Sequence, residues 1–170
     1  MSFPNIESKQ YLAEILTEHY LMKCVIEPPG DLMTHIDSTE RNNFLIKDIV
    51  LTGLTNDNVI NSANIKELWV TREEIILIRV NEDDVKESLQ HFPTKETLRI
   101  FLPRFVVQGT ISRGEDTRIG DMFDVFNGIW AAAYDAHVFP LTNIKAQVFQ
   151  QAPLLLINKN RIRFYEPMQI

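Results

Sequence analysis

The chain has 170 residues, 45% hydrophobic and 24% charged, with 17 basic and 23 acidic side chains and a net charge of -6. This is the make-up of one large or two small soluble globular domains, and it excludes a disordered tail, a collagen-like fibre and a bundle of membrane helices. Six glycines and one cysteine exclude a disulfide scaffold and most Gly-rich phosphate loops, and a uniformly acidic surface would repel nucleic acid and anionic membranes.

From the N-terminus, Met1 to Glu7 lacks the basic region and apolar run of a signal peptide. The apolar stretch Pro153 to Ile157 falls far short of the roughly 18–20 residues a membrane helix needs. A cytoplasmic address without membrane contact is expected. Residues 7–19 read as an amphipathic helix, with Tyr11, Leu12, Ile15, Leu16 and His19 on one face. The run Tyr20 to Glu27 reads as a strand. Cys24 within it reads as a small buried hydrophobe, with a reactive thiol as the alternative. Pro28-Pro29-Gly30 makes a turn, and Asp31 caps a short helix near 32–40 that shows Leu32 and Ile36 on one side. A second strand spans Phe44 to Leu54. Residues 67–70 and 75–80 then read as a hairpin joined by Thr71-Arg72-Glu73-Glu74, with Trp69 in its core.

Residues 81–96 are an acidic linker with a short helix from Asp84 to Gln90, closed by Pro93. The same order of elements then recurs. A strand at 98–101 leads into Arg104 to Ser112. A turn at 113–116 precedes a helix near 118–127, striped by Ile119, Met122, Phe123 and Phe126 and stopped at Gly128. A strand follows from Ala132 to Leu141, and a second hairpin pairs 154–157 with 162–165.

The recurrence has a fixed offset of 87 positions. It puts Asp37 on Asp124, Asp48 on Asp135 and Leu54-Thr55-Asn56 on Leu141-Thr142-Asn143, giving 5 identities in the 25 positions from 32 to 56. The apolar pattern follows the same offset, with Leu68 on Leu155, Val70 on Ile157 and Ile75 on Ile162. The expected fold is therefore α+β: an N-terminal helix (1–19), a β-rich repeat (20–80), the acidic linker (81–96) and a second β-rich repeat (97–170). Each repeat would be an antiparallel sheet or partly open barrel. A unit this small makes a marginal core alone, so the repeats should pack together; one continuous sheet through both is the alternative. The charge divides unevenly, with 9 basic and 17 acidic residues in 1–96 (-8) against 8 and 6 in 97–170 (+2). Such opposed halves favour docking of the repeats or of two molecules.

Chemistry-bearing patterns are sparse. Gly109, Gly114 and Gly120 fit no nucleotide loop, and His19, His35, His91 and His137 fit no metal spacing. Asp135 and His137 lie two apart on one strand, so the carboxylate could orient the imidazole for acid–base work or for metal binding. Only the Asp recurs in the first repeat, which points to a shared structural hydrogen bond. Trp130 is either packing at the joint between repeats or a partner anchor. Arg104, Arg161 and Arg163 supply a basic face for a partner, or more weakly for nucleic acid.

Residues 104–142, with Arg118-Ile119-Gly120-Asp121-Met122-Phe123-Asp124-Val125-Phe126-Asn127 at their centre, resemble a group of uncharacterised small bacterial β-rich domains. In these a strand precedes an Arg-Leu-Ser-Asp-x-Leu-Asn helix start, and Gly120 here replaces the Ser. The resemblance implies a bacterial cytoplasmic protein and brings no catalytic residues. The resulting expectation is a non-catalytic protein-interaction or scaffold module that needs neither metal nor cofactor and binds protein, including a second copy as a homodimer. The alternatives are a ligand binder or enzyme using Asp135 and His137 in a pocket between the repeats, and weak nucleic-acid binding by the second repeat.

Overall fold

The computed structural model describes residues 8–169. These residues form one ten-stranded sheet in which every pairing is antiparallel. The first five strands are β1 (Tyr11–Leu16), β2 (Tyr20–Ile26), β3 (Asn43–Gly53), β4 (Ser62–Thr71) and β5 (Leu77–Val80). The second five are β6 (Thr94–Leu102), β7 (Phe105–Arg113), β8 (Trp130–Pro140), β9 (Gln151–Asn158) and β10 (Phe164–Pro167). The order across the sheet is β10-β6-β7-β8-β9-β5-β1-β2-β3-β4. The fold is β-rich rather than α+β, and the one α-helix among the described residues is α1 (Leu32–Asp37). No helix among the described residues is long and apolar enough to cross a membrane.

The N-terminal helix expected over 7–19 is absent from residue 8 onward, and its segment from 11 to 16 is strand β1; residue 7 lies outside the described residues. Apolar residues at 11, 12, 15 and 16 fit a helical stripe, but Tyr11, Ala13 and Ile15 point into the core while Leu12 is 76% exposed. That is a period of two. Pairing to β2 on one side and β5 on the other decides it, since tertiary pairing overrides a weak local preference. The helix expected over 118–127 shrinks to one 3-10 turn (Ile119–Asp121) followed by further turns. One glycine and two aspartates make that stretch a poor helix, although Met122, Phe123 and Phe126 still fill the core. The linker helix expected from Asp84 to Gln90 is likewise missing; a 3-10 turn, Glu82–Asp84, leads there into further turns.

Neither expected hairpin forms. β4 pairs only with β3, while β5 leaves it and inserts between β1 and β9. The 3-10 turn Arg72–Glu74 redirects the chain between them, and Lys159–Arg161 does the same between β9 and β10. The two groups of five strands share one order, β5-β1-β2-β3-β4 and β10-β6-β7-β8-β9. β3 and β8, β5 and β10, and the two 3-10 turns each begin and end 87 residues apart.

The groups join at β5 and β9, through Leu77↔Ile157, Ile78↔Leu156 and Arg79↔Leu155. The middle of the sheet is buried on both faces, which explains the unbroken apolar run Leu154 to Ile157. Leu154, Leu156, Ile78, Trp130 and Ala132 join the core of the first five strands. Leu155, Ile157, Leu77, Ala131 and Ala133 join the core of the second five.

Candidate functional site

A sheet that does not close leaves two edges, here β4 and β10, and an open edge is a template for pairing with another strand. At β4 the Arg72 N–H donates to Asn42 O at 2.8 Å. With Asn43 opposite Thr71, this makes Asn43 and Thr71 a non-hydrogen-bonded pair. The backbone groups of Thr71, and by alternation those of Trp69, therefore face outward. At β10 the Met168 N–H donates to Thr97 O at 2.9 Å, so Tyr165 and Pro167 turn outward. Pro167 has no N–H to leave unpaired, a common feature of edge strands.

Both edges carry large apolar side chains. Trp69 on β4 is 58% exposed and Phe164 on β10 is 60% exposed, stacked on Phe101 with ring centroids 4.6 Å apart. Trp69 is thus not the core residue its strand pattern predicts. Its position on an edge strand escapes sequence reading, because the hairpin partner assumed there is missing. Glu67, Glu73 and Glu74 are exposed on and just past β4, and Arg163 is exposed just before β10.

The joint between the groups is built differently. Trp130 is 3% exposed and its indole N–H donates to Ile36 O at 3.1 Å, so its hydrogen-bonding capacity is used inside the chain. Nearby, Asp37 accepts from the Ile129 N–H at 2.7 Å. The Arg72 guanidinium is buried and donates to the carbonyls of His35 and Ile36 at 2.8 and 2.7 Å, and to those of Arg41 and Asn43. It caps the last carbonyls of α1. Lys159, 87 residues on, donates to Phe126 O at 2.8 Å. Asn158 is 1% exposed and donates to Arg72 O and Ile75 O at 3.2 and 2.9 Å, while its Oδ1 accepts from the Asn160 N–H at 3.0 Å.

These groups border a cleft of about 440 Å³ lined by Asp37, Arg72, Ile129, Asn158, Asn160 and Arg161. Burial raises the Asp37 carboxyl above its ordinary pKa, opposed by the Ile129 N–H and by the charges of Lys159 and Arg72. Burial lowers His35, and the Arg72 charge adds to this. The Asp37, Arg72 and Asn158 side chains here are spent on backbone partners, while the buried Arg161 Nε has none; the former is the pattern of a structural network rather than of a nucleophile and its base.

The remaining candidates lie apart. Asp135 and His137 are both exposed on β8 and neither borders this cleft. Asp135 has φ 48° and Asp48 has φ 49°. Each sits where the ladder slips, between Gln108 and Thr110 against β8 and between Lys23 and Val25 against β3. The recurrent Asp thus marks a β-bulge that needs a left-handed residue, rather than the shared side-chain hydrogen bond expected from sequence. Arg104, with φ 65°, follows Pro103 in the two-residue turn between β6 and β7. Arg161 donates to Glu18 at 2.9 Å, Arg99 to Glu166 at 2.7 Å, and Arg113 lies 3.3 Å from Glu96. These pairings break up the basic face of the second half. Among the described residues no cluster of three or more metal-binding side chains occurs.

A groove of about 750 Å³ is lined by Leu12, Cys24, Val50, Arg79 and Glu82 of the first half and reaches Gln151 and Pro153 on β9. Burial pushes the Cys24 thiol up to about 12, so it stays protonated and unreactive. No family model, curated protein or solved structure gives a significant match to the chain.

Proposed function

We propose that the chain is a non-catalytic interaction or scaffold module made of two copies of one five-stranded unit, and that it binds protein, its own copies included. The observation that carries this is the pair of open sheet edges, each with outward backbone groups and a large exposed aromatic, Trp69 or Phe164. Backbone pairing along such an edge gives affinity, and the alternate side chains give specificity. The polar network at the joint supports the same reading, because its donors and acceptors hold the units together and leave no convergent reactive set.

Light scattering on the purified chain, with cross-linking mass spectrometry in its source cells, tests the proposal. A complex whose cross-links fall on β4 or β10 is the expected result. A strict monomer without any stable partner refutes it. His137→Ala should leave binding unchanged; loss of binding with an unaltered melting temperature would favour the ligand-site reading instead.

A further inference from the structure

The joint inside the chain is a worked example of the contact that its two ends offer. β9 pairs with β5, and β4 stands 87 residues before β9 as β10 stands 87 after β5. We infer that β4 of one molecule pairs with β10 of a second copy, head to tail, repeating the β9·β5 joint in register. This rests on the proposed scaffold role and names its partner and its surface.

The register follows by transposition. Ile157 opposite Leu77 becomes Val70 opposite Phe164. Leu156 opposite Ile78 becomes Trp69 opposite Tyr165, and Leu155 opposite Arg79 becomes Leu68 opposite Glu166. The hydrogen-bonding phase agrees on both strands. At the internal joint the Asn158 N–H donates to Ile76 O at 3.0 Å, and alternation makes Leu156 and Ile78 a hydrogen-bonded pair. Their counterparts, Trp69 and Tyr165, are the residues whose backbone groups face outward at the two free edges. Pro167, the outward residue without an N–H, falls one step past the transposed register.

The side chains agree as well. Leu156 and Leu77 are fully buried because each reaches over the joint into the neighbouring unit's core. Their counterparts Trp69 and Phe164 are the large residues left in solvent at the edges. Charge at one end of the joint points the same way, since exposed Glu73 and Glu74 just past β4 would lie near exposed Arg163, which falls opposite Thr71 in this register. The joint is heterologous, so each addition exposes a fresh β4 and a fresh β10. Growth stops only when the ends meet in a ring.

The test uses the full-length chain, with light scattering across concentration for the wild type, Trp69→Glu, Phe164→Lys and an equimolar mixture of the two variants. The wild type should form assemblies at multiples of 19.7 kDa. Each variant alone should be a monomer, because it has lost one of the two surfaces. The mixture should give a 1:1 dimer, joined by the single intact β4 and the single intact β10. A wild-type monomer overturns the inference, as does either variant self-associating alone, which would mean like-to-like pairing, or a mixture that stays monomeric. If Trp69→Glu lowers the melting temperature, Thr71→Pro removes an outward N–H at φ -82°, which proline tolerates. If Phe164→Lys fails to fold, hydrogen exchange on the wild type decides. Protection of the Trp69, Thr71 and Tyr165 amides must rise with protein concentration, and its constancy refutes the pairing. A monomer that binds a different protein through β4 would overturn the second-copy inference while leaving the scaffold role standing.

Discussion

Replacing Asn158 with Leu should test how the two units are held together. The side chain makes three hydrogen bonds in the joint, donating to Arg72 O and Ile75 O and accepting from the Asn160 N–H. A leucine of similar reach occupies the space but satisfies none of them. Each lost bond costs about 1 kcal/mol net, and a buried carbonyl left without a donor costs about 1–3 kcal/mol. Apolar burial of the new side chain returns part of this, leaving a loss of about 3 kcal/mol. At about 2–4 °C per kcal/mol for a chain of this size, the melting temperature should fall by roughly 6–12 °C. Urea unfolding followed by the fluorescence of buried Trp130 should show a lower midpoint with an unchanged slope. Asn158→Asp should be worse at neutral pH, because a carboxylate would face two carbonyl oxygens. It should recover as the pH falls and the acid regains a proton to donate. A stability loss below about 1 kcal/mol for Asn158→Leu, or a pH-independent Asn158→Asp, would refute the claim that this side chain pins the joint.

Other substitutions probe the remaining features. The Tyr134 hydroxyl is buried without a hydrogen-bond partner, so Tyr134→Phe should hold or raise stability by up to about 1 kcal/mol in urea unfolding; a clear loss would reveal a bond that this geometry lacks. Gly128 has φ +72° and an added Cβ would lie 1.6 Å from the Asp37 Oδ2, so Gly128→Ala should cost at least about 2 kcal/mol by calorimetry, through left-handed strain and loss of the Asp37–Ile129 contact. The Cys24 thiol, raised from 9.0 to about 12 by burial, keeps its proton in the folded chain while the unfolded chain ionises. Its contribution is therefore fully present below pH 9 and declines as the pH rises towards 12, and Cys24→Ala should flatten that decline in alkaline melting curves. With Arg161, Arg113 and Arg99 paired to Glu18, Glu96 and Glu166, the chain should flow through heparin at low salt. Retention that weakens steeply with salt would restore the nucleic-acid reading.

Most strands were legible in the sequence because β-branched and aromatic runs are local signals. Tyr20 to Glu27 became β2 (Tyr20–Ile26), and Phe44 to Leu54 became β3 (Asn43–Gly53). What local signals cannot carry is partnership. The stretch 67–80 shows two strands around a turn, yet its strands part at Arg72–Glu74. The reason lies far away in sequence: the Arg72 side chain binds carbonyls of His35, Ile36, Arg41 and Asn43, and β5 is claimed by β1 and β9. The same limit governed the site. Trp69 reads as core and Trp130 as an anchor until strand order shows which of them lies on an edge. The helix misread over 7–19 is a different failure, because Tyr11, Leu12, Ile15 and Leu16 satisfy two periods at once and only the exposure of Leu12 separates them. Asp48 and Asp135 have in common a backbone conformation that side-chain reasoning does not see.

Strand order also gives the uneven charge a physical meaning. Two units in one sheet occupy unlike positions even when they share an order of strands, for the joint uses the β5 side of the first and the β9 side of the second. Equivalent slots therefore meet different demands. The slot holding Leu156 inside holds Trp69 at the edge, and the slot holding Leu77 inside holds Phe164. A strand that served only as a solvent-facing end would gain nothing from a tryptophan or a phenylalanine there, since both raise the risk of uncontrolled pairing. Charge is the usual means of selecting among such pairings. In the pairing inferred above, exposed Glu73 and Glu74 just past β4 would disfavour two β4 edges meeting and would favour Arg163 at the β10 end. If copies pair as inferred above, the -8 and +2 of the two halves would favour unlike ends over like ones.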